Sequence, residues 1–220
     1  MQAFELISQV IPPLKSEHTV QEALERLNEF KLFHLPLVKG HQYLGLVSEE
    51  ELIEVRDPKM ALGALSLSLL NSFVFDDAHF YDVLQLMQEM HLSAVPVLDR
   101  NRHYTGLISN HHVLSAAAEM YSVKEAGAIL VLSILLRDNS MAHIAQIVEA
   151  DNAQILSSYI RAFPESSRLE ITLKINRTDL SGIIATFERY GYEIKAAYHH
   201  SGSADDASDR FDSFMNYLNV

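Results

Sequence analysis

Residues 20–53 return in altered form at 80–114, and this internal duplication constrains the fold more than any other feature of the chain. The first copy reads VQEALERLNEFKLFHLPLVKGHQYLGLVSEEELI and the second FYDVLQLMQEMHLSAVPVLDRNRHYTGLISNHHVL. At an offset of sixty, Ala23, Leu24, Leu27, Phe30, Leu32, Pro36, Leu37 and Val38 fall on Val83, Leu84, Met87, Met90, Leu92, Pro96, Val97 and Leu98. After one residue inserted in the second hairpin, Gly45-Leu46-Val47-Ser48 falls on Gly106-Leu107-Ile108-Ser109. The period is longer than that of the usual solenoid repeats. Two copies with one connection point to a pseudo-twofold pair packed face to face, with any cleft between the halves.

Each repeat reads helix, strand, hairpin, strand, helix. Val20, Ala23, Leu24, Leu27 and Phe30 share one face of a helix. Thr19 stands at its N-cap with Glu22 three residues later, as in a capping box. Leu35-Pro36-Leu37-Val38 is apolar on both faces, as in a strand buried in a sheet, and Pro36 puts that strand at an edge or at a bulge. Lys39-Gly40-His41-Gln42 turns the chain, Tyr43–Val47 returns, and Ser48 caps a helix beginning Glu49-Glu50-Glu51. Those carboxylates suit the positive end of a helix dipole.

This arrangement over residues 1–122 resembles a tandem pair of CBS domains, a Bateman module, with repeats at about 1–60 and 61–122. The resemblance rests on the proline strands His34–Val38 and Ala94–Leu98 and on the junctions Gly45–Ser48 and Gly106–Ser109. It implies that an adenosine-type ligand lies between the repeats. The strand residues Leu35, Pro36, Val95 and Pro96 would line it, and Ser48 and Ser109 would meet phosphate at helix starts, where free N–H groups attract anions. An aspartate three residues after each serine usually takes both ribose hydroxyls; here Glu51 and His112 stand in those places. Glu51 keeps the charge, whereas a neutral His112 offers one acceptor. The cations nearest in sequence are Arg100, Arg102 and His103 in the second hairpin, with Lys39 and His41 in the first. Glu49-Glu50-Glu51 disfavours triphosphates and favours AMP, adenosine or S-adenosylmethionine as ligand, with no cofactor required.

Composition sets the other limits. The 220 residues carry 29 acidic against 17 basic side chains, a formal charge of −12. Nucleic acid or an anionic bilayer would demand clustered Lys and Arg, so neither is expected as a partner. The absence of cysteine excludes disulfides and thiolate chemistry. No apolar stretch reaches bilayer length, and MQAFELISQVIPP lacks the basic start of a signal peptide. A cytoplasmic protein is expected.

From Gly127 the pattern changes. Ala128–Leu135 is a strand, Arg137–Ser140 a turn that caps a helix carrying Met141, Ile144, Ala145 and Val148, and Asp151-Asn152 its stop. Strands at Gln154–Ile160 and Arg168–Ile175 follow. Thr178 opens a helix with Leu180, Ile183, Ile184, Phe187 and Tyr190 on one face, Gly191 ends it, and Tyr192–His199 is a last strand. The order βαββαβ over 124–200 is ferredoxin-like and resembles an ACT domain, which makes the whole chain α+β. The family's ligand loop usually carries a glycine where Met141 stands, so the resemblance implies either an amino-acid site that Met141 obstructs or a sheet used for dimer formation. Residues 201–208 read as a linker, and 209–220 as a short helix with Phe211, Phe214, Met215 and Leu218 on one face.

No phosphate-binding glycine loop or catalytic constellation emerges, and the metal-like groupings, the adjacent pair His111-His112 and His199-His200 with Asp205 and Asp206, read as solvated surface side chains with no metal site expected. The chain reads as a non-enzyme. Two functions fit: a regulatory small-molecule sensor in which the ACT-like domain dimerises or transmits the signal, or a ligand-independent scaffold with degenerate pockets. Either would act on a separate partner protein, as a homodimer.

Overall fold

The computed structural model describes residues 1–138, 140–164 and 166–198. The expected linker at 201–208, the helix at 209–220, and His199, His200, Asp205 and Asp206 lie outside the described residues. The chain divides into two units, Met1–Ala117 and Ala118–Val220. Sequence reading drew that boundary at 122–124.

In the first unit each repeat builds its own three-stranded sheet. Repeat one contributes β1 (Leu14–Lys15), α1 (Val20–Phe30), β2 (His34–Lys39), β3 (Gln42–Ser48) and α2 (Glu49–Ile53). Repeat two contributes β4 (Val74–Phe75), α3 (Phe80–Glu89), β5 (Ala94–Leu98), β6 (Tyr104–Ser109) and α4 (Asn110–Met120). In both, the short first strand pairs parallel to the second, and the second pairs antiparallel to the third. The correspondence reaches single residues: Leu37↔Gly45 matches Val97↔Gly106, and a bulge follows at Leu37/Val38 and at Val97/Leu98. Sequence reading missed β1 and β4, because two residues carry no periodicity.

The prolines explain themselves in this register. β2 and β5 are central strands, so the edge alternative for the Pro36 strand fails; the strand does carry a bulge, between Leu37 and Val38, while Pro36 itself pairs with Leu46. β1 begins its pairing at Leu14↔Leu37, one position past Pro36. A missing N–H at Pro36 therefore costs no ladder bond on that side. Pro96 sits the same way relative to Val74↔Val97.

The segments that lead into the repeats are exchanged. Residues at the N-terminus, which precede repeat one, pack on repeat two: Ala3 N–H donates to Ala78 O at 2.9 Å and Phe80 N–H to Met1 O at 3.1 Å. The connection that precedes repeat two packs on repeat one: Leu62 N–H donates to His18 O at 2.8 Å and Val20 N–H to Met60 O at 3.0 Å. Further along, Ile7 crosses Gly106 and Leu67 crosses Gly45. A Cβ on Gly106 would lie 2.2 Å from Ile7 Cγ2, and one on Gly45 would lie 2.7 Å from Leu67 Cδ1. The repeated glycine thus admits a crossing chain. Each core also borrows from the other repeat, with Leu46 in the second core and Ala94 and Leu107 in the first. Neither repeat is closed without its mate.

The second unit contains β7 (Ala128–Leu135), α5 (Met141–Ala150), β8 (Ile155–Ala162), β9 (Arg168–Ile175), α6 (Ser181–Arg189) and β10 (Glu193–Tyr198). Its sheet runs β10-β7-β9-β8, antiparallel throughout. Buried and half-buried residues alternate along β7 and β9. The buried face meets Ile144, Ile147 and Val148 of α5, Leu180 at the N-cap of α6, and Ile183 and Phe187 within it. α6 starts at Ser181, three residues later than Thr178. The reason is local: Asp179 Oδ1 accepts from Ser181 N–H at 2.9 Å and from Ser181 Oγ–H at 2.6 Å, a side-chain turn that delays the helix.

Candidate functional site

The two strand-to-helix junctions of the first unit are equivalent in backbone and different in chemistry. Ser48 ends β3 in extended conformation and caps α2, its Oγ accepting from Glu51 N–H at 3.2 Å. Glu51 reciprocates: its Oε2 accepts from Ser48 N–H at 3.2 Å and from Ser48 Oγ–H at 3.1 Å. The position that would hold a ribose is therefore also the third residue of a capping box.

The other carboxylate oxygen of Glu51 is engaged as well. Oε1 accepts from Ser68 N–H at 2.9 Å and from Ser68 Oγ–H at 2.6 Å. Ser68 belongs to the crossing connection, held against β3 by Leu46 N–H donating to Leu69 O at 3.1 Å. Burial pushes the Glu51 carboxyl up, but the bonds from Ser68 and Ser48 together outweigh it and hold the group below its ordinary value. At neutral pH Glu51 is an ionised acceptor of two donors presented side by side.

At the second junction Ser109, 2% exposed, shares a 2.8 Å hydrogen bond with His112 Nδ1. Burial lowers the His112 pKa and the neighbouring His111 lowers it further, so the ring is neutral at pH 7. One junction is anionic and the other uncharged.

Between the junctions the starts of β2 and β5 are tied together. Phe33 N–H donates to Ser93 Oγ at 2.9 Å, and Ser93 N–H donates to His34 Nδ1 at 3.2 Å. Phe33 and Ser93 are sixty residues apart, which puts the pseudo-twofold axis at this knot. Burial lowers the His34 pKa against the opposing influence of Glu50 and Glu51. The helices hook onto the same turns, Glu49 N–H on Phe33 O at 2.9 Å and Asn110 N–H on Ser93 O at 3.0 Å.

The remaining sequence candidates are placed elsewhere. Leu35 and Val95 are 0% exposed in the two cores, and Pro36 and Pro96 are buried beside them. Arg100 and Arg102 sit at the β5–β6 hairpin tip. Arg100 pairs with Asp77 and lies 4.9 Å from the Phe75 ring centre, while Arg102, at φ 64°, lies 5.5 Å from that of Phe73. His103 bonds Asp99 at 3.1 Å. That tip meets the first hairpin, where Tyr104 N–H donates to His41 O at 2.8 Å. Ser109 stands at the opposite end of β6, about 16 Å away at the rise of an extended strand. The fold does not bring the basic turn to its own repeat's junction. Sequence reading passed over Ser68, Ser93 and His34. Carrying the sixty-residue offset upstream finds the first, since Ile7-Ser8 aligns with Leu67-Ser68.

In the second unit a cavity of about 480 Å³ opens beside the end of β7, lined by Ser140, His143, Arg168, Tyr192 and Glu193 among others. Arg168 Nε–H donates to Ser133 Oγ at 2.9 Å and pairs with Glu193, and His143 Nδ1 lies 2.8 Å from Tyr192 Oη. Met141 packs half-buried against the core. Among the described residues no three His, Asp or Glu side chains converge on a metal position, and no helix is long and apolar enough to cross a membrane.

Residues 3–57 and 72–119 match the family model of the CBS domain. An uncharacterized protein of Methanocaldococcus jannaschii is 22% identical over 126 residues, 57% of this chain and 48% of that protein. The chain thus spans about half the length of this curated relative. Among solved structures, a CBS domain pair/ACT domain protein from Thermotoga maritima is 24% identical, covers 54% of this chain and 98% of its own, and superposes with a TM-score of 0.49. CBSX2, crystallised in complex with AMP, is 22% identical, with coverage of 56% and 98% and a TM-score of 0.47.

Proposed function

On the premise that the first unit is a CBS domain pair, we propose that the chain is a regulatory sensor that takes an adenosine-type ligand at the Ser48/Glu51 junction. The observation that carries this reading is the state of Glu51. Its ionised carboxylate already receives two adjacent donors, Ser68 N–H and Ser68 Oγ–H, on one oxygen. A ribose diol presents the same pair of donors, so a nucleoside would displace Ser68 and keep the carboxylate satisfied. The Ser109/His112 junction lacks the charged acceptor and is the weaker site. Phosphate finds little support at the first junction: Glu49, Glu50 and Glu51 crowd the helix start, and the Arg100/Arg102 turn belongs to the hairpin tip. AMP, adenosine or S-adenosylmethionine fits this field better than ATP.

Calorimetry on the full chain tests the reading. AMP or adenosine is expected to bind, and Ser68→Ala to tighten binding about three- to tenfold by removing a competing hydroxyl worth roughly 1 kcal/mol. ATP without magnesium is expected to bind more weakly than AMP. Absence of binding by every adenosine compound at millimolar concentration, in wild type and in Ser68→Ala alike, would sink the sensor.

The second reading, a scaffold that needs no ligand, is favoured by the same saturation of Glu51 and by His112 in the second acceptor's place. In either reading residues 124–200 act as a ferredoxin-like ACT-type domain, for dimerisation or signal transmission, and the target is a separate cytoplasmic protein. The net charge of −12 argues against nucleic acid or membrane as partner.

A homodimer is supported by a symmetry in exposure. Ile53 on α2 and Leu114 on α4 occupy equivalent repeat positions and are 68% and 69% exposed. Two large aliphatic side chains at matching positions suit a twofold contact. Light scattering is expected to give twice the 24.8 kDa chain mass, and Ile53→Glu with Leu114→Glu to return it to one. A wild-type mass of one chain at micromolar concentration defeats the dimer.

A further inference from the structure

The sheet of the second unit turns one face to α5 and α6, and the strand register sorts the side chains of the other face into rows. Tyr198, Ile129, Lys174 and Ser157 stand side by side across the four strands, and Ala196, Val131, Thr172 and Tyr159 form the next row. These two rows floor a groove of about 810 Å³, within the size range of small-molecule sites. One wall comes from outside the sheet. The segment after α4 brings Tyr121 over β8, where Ser157 Oγ–H donates to Tyr121 O at 2.9 Å and Ser122 Oγ–H to Leu156 O at 3.3 Å. The Tyr121 ring meets that of Tyr159 edge-on at 5.7 Å. Tyr198 stands across the groove on the other edge strand, β10, and all three tyrosines are half-exposed.

The charges in the groove do not balance. Glu170 and Lys195 line it and pair with each other, so together they are neutral. Lys174 lines it too, half-buried and flanked in register by Ile129 and Ser157, and no carboxylate among the described residues pairs with it. A partly desolvated ammonium without a counter-ion is costly, and an anion that brings its own apolar body relieves the cost. We propose that this groove binds an aromatic monocarboxylate, with the carboxylate on Lys174 and the ring on the apolar floor between the tyrosines. Each feature selects a part of that ligand. Ile129 and Val131, two residues apart on β7, give an apolar strip roughly 7 Å long, about the size of one or two fused rings. The tyrosine rings beside it offer edge-on partners to another aromatic ring. One unpaired cation matches one negative charge. A phosphate ester with two would find no second free cation, because Lys195 is engaged by Glu170, and an uncharged ligand would leave Lys174 uncompensated.

Calorimetry on the full chain with naphthoate and with neutral naphthylmethanol separates the two parts of the claim. Naphthoate is expected to bind about tenfold or more tightly than the alcohol, and Lys174→Gln to abolish that difference. Thr172→Trp sets a large ring in the middle of the floor, in a residue type that strands accept, and is expected to weaken naphthoate about tenfold or more. No naphthoate binding at millimolar concentration overturns the proposal, and so does equal affinity for the two probes. A preference for naphthoate that survives Lys174→Gln overturns it as well. Naphthoate binding that Thr172→Trp leaves unchanged, in a variant with wild-type circular dichroism, places the ligand elsewhere and overturns the groove as its site.

Discussion

Phe187→Ala is expected to remove about 3–5 kcal/mol from the stability of the second unit, the range for deleting a fully buried aromatic ring. Phe187 is 0% exposed in the last turn of α6, packed on the sheet, with its ring edge-on to Tyr192 at 5.3 Å. Nothing around it collapses easily: the facing strands β7 and β9 are pinned by eight paired positions, Ala128↔Ile175 through Leu135↔Arg168. Against a domain stability of about 5–15 kcal/mol, such a loss is a large fraction of the whole. Hydrogen exchange provides the check. Amides of β7 and β9 should exchange some hundredfold faster or more in the variant, by the conversion of 1.4 kcal/mol per tenfold. Amides of β2 and β5, whose cores contain no residue of the second unit, should keep their rates. Equal acceleration in both sets would show that the two units unfold together.

Glu51→Ala is expected to destabilise the first unit by about 2 kcal/mol at pH 7. The loss combines a helix cap with charge-assisted bonds to Ser48 and Ser68, discounted because the group is partly exposed. The effect depends on pH with a definite sign. The folded-state pKa of Glu51 lies below its ordinary value of 4.5, so the folded protein binds fewer protons than the unfolded chain around that pH. The contribution of Glu51 is then fully present above the unfolded value and lost as pH falls through the lower folded value. Urea titrations of wild type and Glu51→Ala should differ most above about pH 5 and converge as the pH falls below the ordinary carboxylate range. A difference that stays undiminished down to the most acid pH at which both proteins fold would show that the carboxylate's charge is not what holds Ser68. The variant also separates the two functional readings. In a sensor, loss of the ribose acceptor weakens adenosine binding about tenfold or more; in a scaffold, only the stability changes.

Much of this was legible in the chain itself, because short-range chemistry writes in short-range code. Thr19 with Glu22 announced a capping box and Ser48 a helix cap, and both form, the second as a capping box closed by Glu51. Alternation from Leu169 to Ile175 announced one wet and one dry face; β9 has the dry face, and its other face is half-buried. The offset of sixty announced two matching halves, and the two sheets repeat down to their bulges. Each of these signals relates residues that are neighbours along one element or copies of one another.

What the tertiary structure decided involves residues that no local pattern relates. The exchange of leader segments, Ala3 on Ala78 and Leu62 on His18, is a choice between packing on one's own repeat or on the other. Both choices bury the same side chains, so hydrophobic pattern is silent on it. Ser68 reaches Glu51 across seventeen positions of sequence, and Ser93 knots to His34 across fifty-nine. Serine at a loop position satisfies itself with water as readily as with a carboxylate, which is why composition gave no sign of either bond. The same reason separates the Arg100/Arg102 turn from Ser109. Their nearness in sequence suggested one site, yet an extended strand spends its residues on distance and carries them to opposite ends of β6. Capping, periodicity and duplication are thus determined by the sequence alone, whereas the occupants of the Glu51 carboxylate follow only from which distant segment the fold lays across it.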